Sequence, residues 1–309
     1  MKTILTDEAL EAAQVIRRGG LVAFPTETVY GLGADVFNAD AVGRIFEAKM
    51  RPADNPLIAH VGNLKQIARL VRSITPTAQK LIEAFFPSPL TIVLPKSENV
   101  PAIATAGLDT IGVRMPRHRL AREFLVACET PVVAPSANIS GRPSPTTWRA
   151  VFEDLDGRID CILKGDATEI GLESTVVDCT GLTPLLLRAG AVSLEDLQIV
   201  APETRVYVPA GDEAVRSPGL KHKHYAPKAR VVIGVENDSA ERAAFIGLNR
   251  PVGNFEFTKI CHDVENYAHE IFAFFRECDR SNIESIVCEA VEEHGIGRAL
   301  MDRLRRAAD

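Results

Sequence analysis

Short apolar blocks recur along the chain, each closed by Gly, Pro, Asn or Asp. Leu21–Phe24, Leu57–Val61, Thr91–Leu94, Ile111–Arg114, Val132–Ala134, Ile159–Leu163, Ser174–Asp178 and Leu185–Arg188 are such blocks, and they read as strands. Between several of them the apolar residues switch to helical spacing. Thr6 is placed to cap a first helix with Leu10, Ala13 and Ile16 on one face, and Gly19-Gly20 stops it. Asn38 precedes a segment with Val42, Ile45 and Phe46 in register. Asn63 precedes Leu64, Ile67, Ala68 and Val71, and Thr75-Pro76 opens a helix carrying Leu81, Ile82, Phe85 and Phe86 that Pro87-Ser88-Pro89 ends. A further helix spans about Leu120 to Ala127. Strands joined partly by helices and partly by short loops predict a large mixed, twisted sheet with helices, an α/β fold.

The pattern lapses after Leu197. From Ala201 to Arg230 the chain holds Pro202, Pro209, Gly211, Pro218, Gly219 and Pro227 without sustained periodicity, the composition of a connector. It then restarts. Val231–Val235 reads as a strand, Ala240–Ile246 as a helix, Glu265–Cys278 as a helix with Ala268, Ile271, Phe272 and Phe275 on one face. Ile283–Cys288 reads as a strand and Gly297–Ala307 as a last helix. The expected division is therefore a large domain over residues 1–205, a linker over 206–230, and a small Rossmann-like α/β domain over 231–309. The small unit has no G-x-G-x-x-G, so no dinucleotide site is expected there.

Composition changes this picture little. With 46% hydrophobic and 25% charged residues, the chain has the material for a sizeable core. A net charge of −6 argues against a protein that wraps nucleic acid, though not against a local basic cleft. The six cysteines form no C-x-x-C pair, so neither a zinc site nor a disulfide framework is expected, and reduced thiols in a cytoplasmic protein are the default. Asp7, Glu8 and Glu11 interrupt any apolar leader, and no apolar run is long enough for a membrane span.

Candidate chemistry concentrates between Phe24 and Val61. A strand opens at Pro25 into a loop with Thr26 and Thr28, passes Gly31 and Gly33, and leads through a helix to Lys49-Met50-Arg51-Pro52. Asn55 and His60 then flank Pro56 and the next strand. Hydroxyls, glycines and cations on the loops after strands are how α/β folds make anion sites. Taken singly, Lys-x-Arg-Pro is usually a solvated helix end suited to the dipole, and Pro-Thr-Glu-Thr is a turn.

This stretch resembles the nucleotide-binding core of the threonylcarbamoyl-AMP synthases, the YrdC-like family. So do Ile111-Gly112-Val113-Arg114-Met115-Pro116, Ala134-Pro135-Ser136-Ala137-Asn138, Ser144-Pro145-Thr146 and Glu173-Ser174-Thr175-Val176-Val177-Asp178. The run Ser217-Pro218-Gly219-Leu220-Lys221-His222-Lys223-His224-Tyr225-Ala226-Pro227 is similar to the interdomain linker of the longer, two-domain members. The resemblance implies formation of threonylcarbamoyl-AMP and pyrophosphate from L-threonine, bicarbonate and ATP, for the threonylcarbamoyladenosine modification of tRNA. Every reactant is anionic, so such an enzyme must mainly position its substrates and neutralise charge.

The resemblance also assigns roles. Lys49 and Arg51 become the catalytic cations facing the phosphates. Thr28, His60, Arg114, Ala134 and Ser174 line the threonine pocket, with Arg114 on the carboxylate, where a planar guanidinium is well matched. Arg51, Asn55, Thr110, Ser136, Ser144 and Arg188 contact ATP. His224 and Tyr225 belong to a lid that excludes water from a labile mixed anhydride. Mg²⁺ is expected to arrive on the ATP phosphates, without dedicated protein ligands. Glu27 and Glu173 flank the pocket and either orient water or metal or cap a turn. Downstream threonylcarbamoyl-transferase proteins are the implied partners, with no stable nucleic-acid complex and no membrane. Two other readings compete. A tRNA- or double-stranded-RNA-binding module would want the same cations and would show a steep salt dependence. A carbamoyltransferase of the hydrogenase-maturation type would need an acylphosphatase-like region and paired-cysteine zinc fingers.

Overall fold

A computed structural model describes residues 2–208, 225–234 and 242–308. Among these residues the large domain contains strands β1 (Ile4–Thr6), β2 (Val22–Phe24), β3 (Gly31–Asp35), β4 (Ile58–His60), β5 (Leu90–Pro95) and β6 (Thr110–Arg114). It continues with β7 (Val132–Val133), β8 (Cys161–Leu163), β9 (Thr175–Asp178), β10 (Leu185–Arg188) and β11 (Arg205–Val206). They form one sheet in the order β1-β8-β2-β3-β7-β4-β6-β5-β9-β10-β11. Pairing is mixed: β4 runs parallel to β6, whereas β5 is antiparallel to β6 and β10 antiparallel to β9. Seven helices cover it: α1 (Ala9–Arg17), α2 (Ala39–Lys49), α3 (Ile67–Leu70), α4 (Pro76–Phe85), α5 (Arg119–Cys128), α6 (Trp148–Leu155) and α7 (Leu194–Val200).

Local chemistry explains the boundaries. Asn38 and Thr75 each accept a backbone N–H at the start of α2 and α4, and Pro76 occupies the first turn of α4. Met50 closes α2 in the left-handed region at φ 52°, which turns the chain sharply towards Arg51. Two expectations are corrected. Thr6 lies in β1, and the residue that precedes α1 is Glu8, which makes no side-chain cap; Thr6 instead accepts the Glu8 N–H at 3.1 Å. Gly31 and Gly33 belong to β3 rather than to a loop. A Cβ on Gly33 would meet Val132 Cγ1 at 2.6 Å, so glycine here permits close strand packing.

The small domain contains β12 (Arg230–Ile233), β13 (Ala243–Gly247), β14 (Phe257–Ile260) and β15 (Ser285–Cys288), all parallel in the order β12-β15-β13-β14, with α8 (Val264–Arg280) and α9 (Ile296–Ala308). The helix expected over Ala240–Ile246 is a strand where it is described. An alanine-rich run favours helix in isolation, but pairing on both sides with β15 and β14 decides otherwise. Residues 235–241, including Val235 and Ala240 of those expectations, lie outside the described residues. The core of the small sheet is Ala244, Ile246, Tyr267, Phe272, Ile286 and Leu300, all fully buried.

The two domains meet through buried charge as well as apolar contact. Arg276 on α8 donates to Asp154 at 2.7 Å and to the Pro143 carbonyl at 2.6 Å. Arg303 on α9 donates to Glu173 at 2.9 Å. His269 makes a 2.9 Å contact with the Thr168 carbonyl, and a Cβ on Gly171 would meet the His269 backbone at 2.5 Å.

Candidate active site

A cleft opens where β4, β6, β7 and β10 end and β9 begins. Its wall includes Thr28, Arg51, Asn55, His60, Arg114, Ala134, Ser136, Ser144, Ser174, Arg188 and Tyr225, eleven of the fourteen residues singled out from the sequence. His224 and the segment 209–224 lie outside the described residues.

The remaining two are placed elsewhere. Lys49 is buried behind the wall. Its ammonium donates to the carbonyls of Ser136 and Asn138, both at 2.5 Å, and so it ties the loop after β7 to the end of α2. Burial, and then the neighbouring Arg51, push its pKa well down. Thr110 sits at the opposite end of β6 from Arg114 and lines a smaller adjoining cavity, which shares Pro56, Leu57 and Ile58 with the main cleft.

Part of the cleft wall is organised around Arg114. Its Nη1 donates to Thr28 Oγ1 at 2.9 Å, and its Nη2 lies 2.7 Å from Glu27 Oε1, both residues almost fully buried. Thr28 Oγ1 is in turn 2.8 Å from Thr26 Oγ1, which donates to the Val29 carbonyl. The fork is thus held from behind by the turn that Pro25 starts, leaving Arg114 Nε without a partner. His60 is beside it, with Nδ1 3.1 Å from the Ile58 carbonyl and its ring edge-on to Phe24. Burial first, and Arg114 second, depress its pKa to about 3, so the imidazole is neutral at physiological pH.

Arg188, Ser174, Ser144 and Glu173 form a second group in the same wall, adjacent to the first through Thr91, which pairs with Arg114 in the sheet. Arg188 donates through Nε to the Ser174 carbonyl at 3.0 Å and through Nη2 to Ser174 Oγ at 3.1 Å, and that hydroxyl contacts Thr91 Oγ1 at 2.8 Å. Ser144 donates to Glu173 Oε1 at 2.5 Å. Burial alone would push the Glu173 carboxyl up; Arg303, Arg188 and Ser144 outweigh it and hold it below the usual carboxylate range. Elsewhere in the lining Arg51 donates to the Asn55 carbonyl at 3.0 Å, and burial lowers its pKa to about 10, still a cation at neutral pH. Arg51 Nε and both polar atoms of the Asn55 amide are buried and without partners. Buried polar groups are normally satisfied, so these mark positions where a ligand's own polar atoms would complete the bonding.

Glu173, expected beside the pocket, lines the cleft, as do Thr26, Asn138 and Arg142, to which no role was assigned from the sequence. Arg142 had a visible signal, a cation in a Gly-Arg-Pro loop between two of the motifs. Neither cleft carboxylate region fits a resident magnesium ion, because Glu27 faces Arg114 and Glu173 is engaged by Ser144 and Arg303. Among the described residues there is no group of three His, Cys, Asp or Glu side chains placed to hold a metal.

A mixed sheet of this order, with a cation-lined cleft at its strand ends and a small parallel domain beside it, defines a YrdC-like α/β protein of the two-domain type. Residues 14–190 match the Sua5/YciO/YrdC family described as "Telomere recombination", and residues 192–309 match "Threonylcarbamoyl-AMP synthase, C-terminal domain". The chain belongs to the threonylcarbamoyl-AMP synthase family. It is 46% identical over 316 residues to the threonylcarbamoyl-AMP synthase of Pyrococcus abyssi, covering 96% of this chain and 93% of that one. It is 38% identical over 318 residues to the Bacillus subtilis enzyme of that name, covering 96% and 92%. The crystal structure of P. abyssi Sua5 complexed with L-threonine superposes with a TM-score of 0.93 at 43% identity, covering all of this chain and 98% of that one. Escherichia coli YciO, at 24% identity and a TM-score of 0.53 over 61% of this chain, shares the fold of the large domain.

Proposed function

We infer that the protein is an L-threonylcarbamoyladenylate synthase, a nucleotidyltransferase that joins L-threonine, bicarbonate and ATP into threonylcarbamoyl-AMP and pyrophosphate for tRNA modification. The observation that carries this is the Arg114 fork, locked between Glu27 and Thr28 in a cleft that also presents Arg51, Asn55, Ser144 and Arg188. Near-full-length similarity to proteins named for this activity, one of them complexed with L-threonine, supports it.

On this reading the threonine carboxylate faces Arg114, with Thr28, His60, Ala134 and Ser174 around the side chain and amine. Neutral His60 suits a site that must hold the amine uncharged while its nitrogen bonds the bicarbonate carbon and a C–O bond breaks to release water, giving the carbamate. The carbamate oxygen attacks the α-phosphorus, the bond to the bridging oxygen breaks, and pyrophosphate leaves. Arg51 and Arg188 face the phosphates and neutralise the charge that builds there, which is where preorganised cations are most effective. Lys49 acts through the Ser136–Asn138 loop that it anchors. Any Mg²⁺ belongs to the ATP phosphates, and no step is assigned to it. The division into residues 1–205, 206–230 and 231–309 is part of the same proposal; the two sheets share no strand, and the family matches divide near residue 191. The product is an activated acyl-adenylate, so a threonylcarbamoyl-transferring partner would consume it.

The test is a product assay. Purified protein with ATP, Mg²⁺, bicarbonate and threonine is expected to yield threonylcarbamoyl-AMP by mass spectrometry, with equivalent pyrophosphate, and omission of threonine or bicarbonate is expected to abolish both. Pyrophosphate release that ignores threonine would reject the proposed acceptor. Absence of turnover with salt-sensitive RNA binding would favour a binding module instead.

A further inference from the structure

Glu173 poses an electrostatic problem. It is 7% exposed, lies in the wall of a cleft read as a polyanion site, and is held ionised. A buried carboxylate there would repel phosphate unless its charge were cancelled from behind. The cancelling group comes from the other domain. Arg303 on α9 is 1% exposed and does not line the cleft, yet its Nε donates to Glu173 Oε2 at 2.9 Å. Its Nη2 donates to the Ala189 carbonyl at 3.1 Å, next to Arg188, and its Nη1 to Asp302 at 2.6 Å. The guanidinium carbon sits 5.4 Å from the centre of the Tyr225 ring, which itself lines the cleft and stacks on Phe272.

We propose that Arg303 is a positioning residue for the nucleotide: a small-domain cation that cancels the Glu173 charge behind the phosphate wall and keeps that carboxylate turned onto Ser144. The small domain thereby completes the electrostatics of a cleft it does not line through α9. Among the described residues Arg188 makes no hydrogen bond to Glu173; its Nε and Nη2 donate to Ser174. The proposal rests on the ATP-dependent reading above, and it differs from a purely structural clamp in the sign of its effects.

The experiment measures ATP affinity of the full chain by calorimetry, KM for ATP and for threonine, and the melting temperature, in Arg303→Met, Glu173→Gln and the double variant. Arg303→Met is expected to weaken ATP by about tenfold or more, the factor set by a buried unpaired charge, while moving the threonine KM less than about twofold. Glu173→Gln removes the repelling charge and is expected to tighten ATP by about threefold. The double variant is expected to return to within about threefold of the parent. If Glu173→Gln weakens ATP as Arg303→Met does, or if Arg303→Met leaves ATP affinity unchanged, the proposal is wrong. A parallel rise of both KM values with a lower melting temperature identifies a clamp and also overturns it. Should Arg303→Met fail to fold, the direction of the Glu173→Gln effect decides alone. Parent protein that binds ATP but makes no threonylcarbamoyl-AMP rejects the functional reading while leaving these binding arms decisive. Parent protein that makes product without the opposed effects rejects only the role of Arg303.

Discussion

The large sheet closes several of its strands on ionisable side chains: β4 ends at His60, β6 at Arg114 and β10 at Arg188, all buried. The small sheet closes on Ile233, Gly247, Ile260 and Cys288. Both are α/β units, and both have parallel strands whose carboxyl ends are natural ligand positions. The difference is where buried charge is aimed. In the large domain it converges on the cleft, with Arg114 Nε, Arg51 Nε and the Asn55 amide left unsatisfied. In the small domain, among the described residues, the buried charges are Arg276 and Arg303, and both point into the large domain. Fold class alone therefore does not locate chemistry; the location follows from which strand ends keep polar atoms that the protein itself does not satisfy.

The largest effect that would break this contrast is at Arg114. Arg114→Ala removes the fork facing the proposed threonine carboxylate and leaves Glu27 buried without its cation. The threonine kcat/KM is expected to fall on the order of 10²–10³-fold, with ATP parameters moving much less. Steady-state kinetics with threonine as the varied substrate checks it. An unchanged threonine dependence would remove Arg114 from the site.

A smaller effect separates two uses of a cation within the same domain. Lys49 and Arg51 are two residues apart, yet Arg51 lines the cleft and Lys49 is spent on the Ser136 and Asn138 carbonyls. Lys49→Met is expected to lose activity and stability together, by about 2–3 kcal/mol for the stranded carbonyls, seen as a lower melting temperature. Arg51→Met is expected to weaken ATP without that thermal loss. If Lys49→Met melts like the parent while losing ATP affinity, Lys49 touches the nucleotide directly, as the family resemblance implied.

How much of this was legible in the chain follows from the range of the interactions. The strands Thr91–Leu94 and Ile111–Arg114 and the caps Asn38 and Thr75 are local features, and they stand where the residue pattern put them. The cleft residues were legible through the family resemblance of their motifs: His60, Arg114 and Arg188 end strands, whereas Arg51 and Asn55 follow a helix and Ser174 precedes a strand. What was not legible depends on partners distant in sequence. Gly31 and Gly33 read as a loop because nothing local announces Phe24 and Val132 packing across them. The run Ala240–Ile246 read as helix because the parallel partners of its described part lie 13 and 42 positions away. Arg303 reaches Glu173 across 130 positions, and no spacing rule links them.

The smallest expected effect sharpens the comparison from the small domain's side. Glu289 directly follows β15, the position at which the large sheet places cleft residues. Its carboxylate, however, accepts the Leu248 N–H at 2.6 Å, the Asn249 N–H at 2.9 Å and the Asn249 side chain at 2.6 Å, across the end of β13. Burial would raise its pKa, but these donors outweigh that and lower it. Three of the carboxylate's roughly four lone-pair positions are so engaged, and it replaces a turn's missing backbone partners. Glu289→Gln keeps the shape and gives up the charge, so it is expected to cost about 1 kcal/mol of stability at a partly exposed site. That corresponds to a melting temperature about 2–4 °C lower. The KM values for ATP and threonine are expected to stay within about twofold of the parent's. The check is thermal melting beside steady-state kinetics. A Glu289→Gln protein that melts normally but binds either substrate poorly would show that the small sheet, too, offers its strand ends to a ligand, and the division of labour between the two sheets would have to be abandoned.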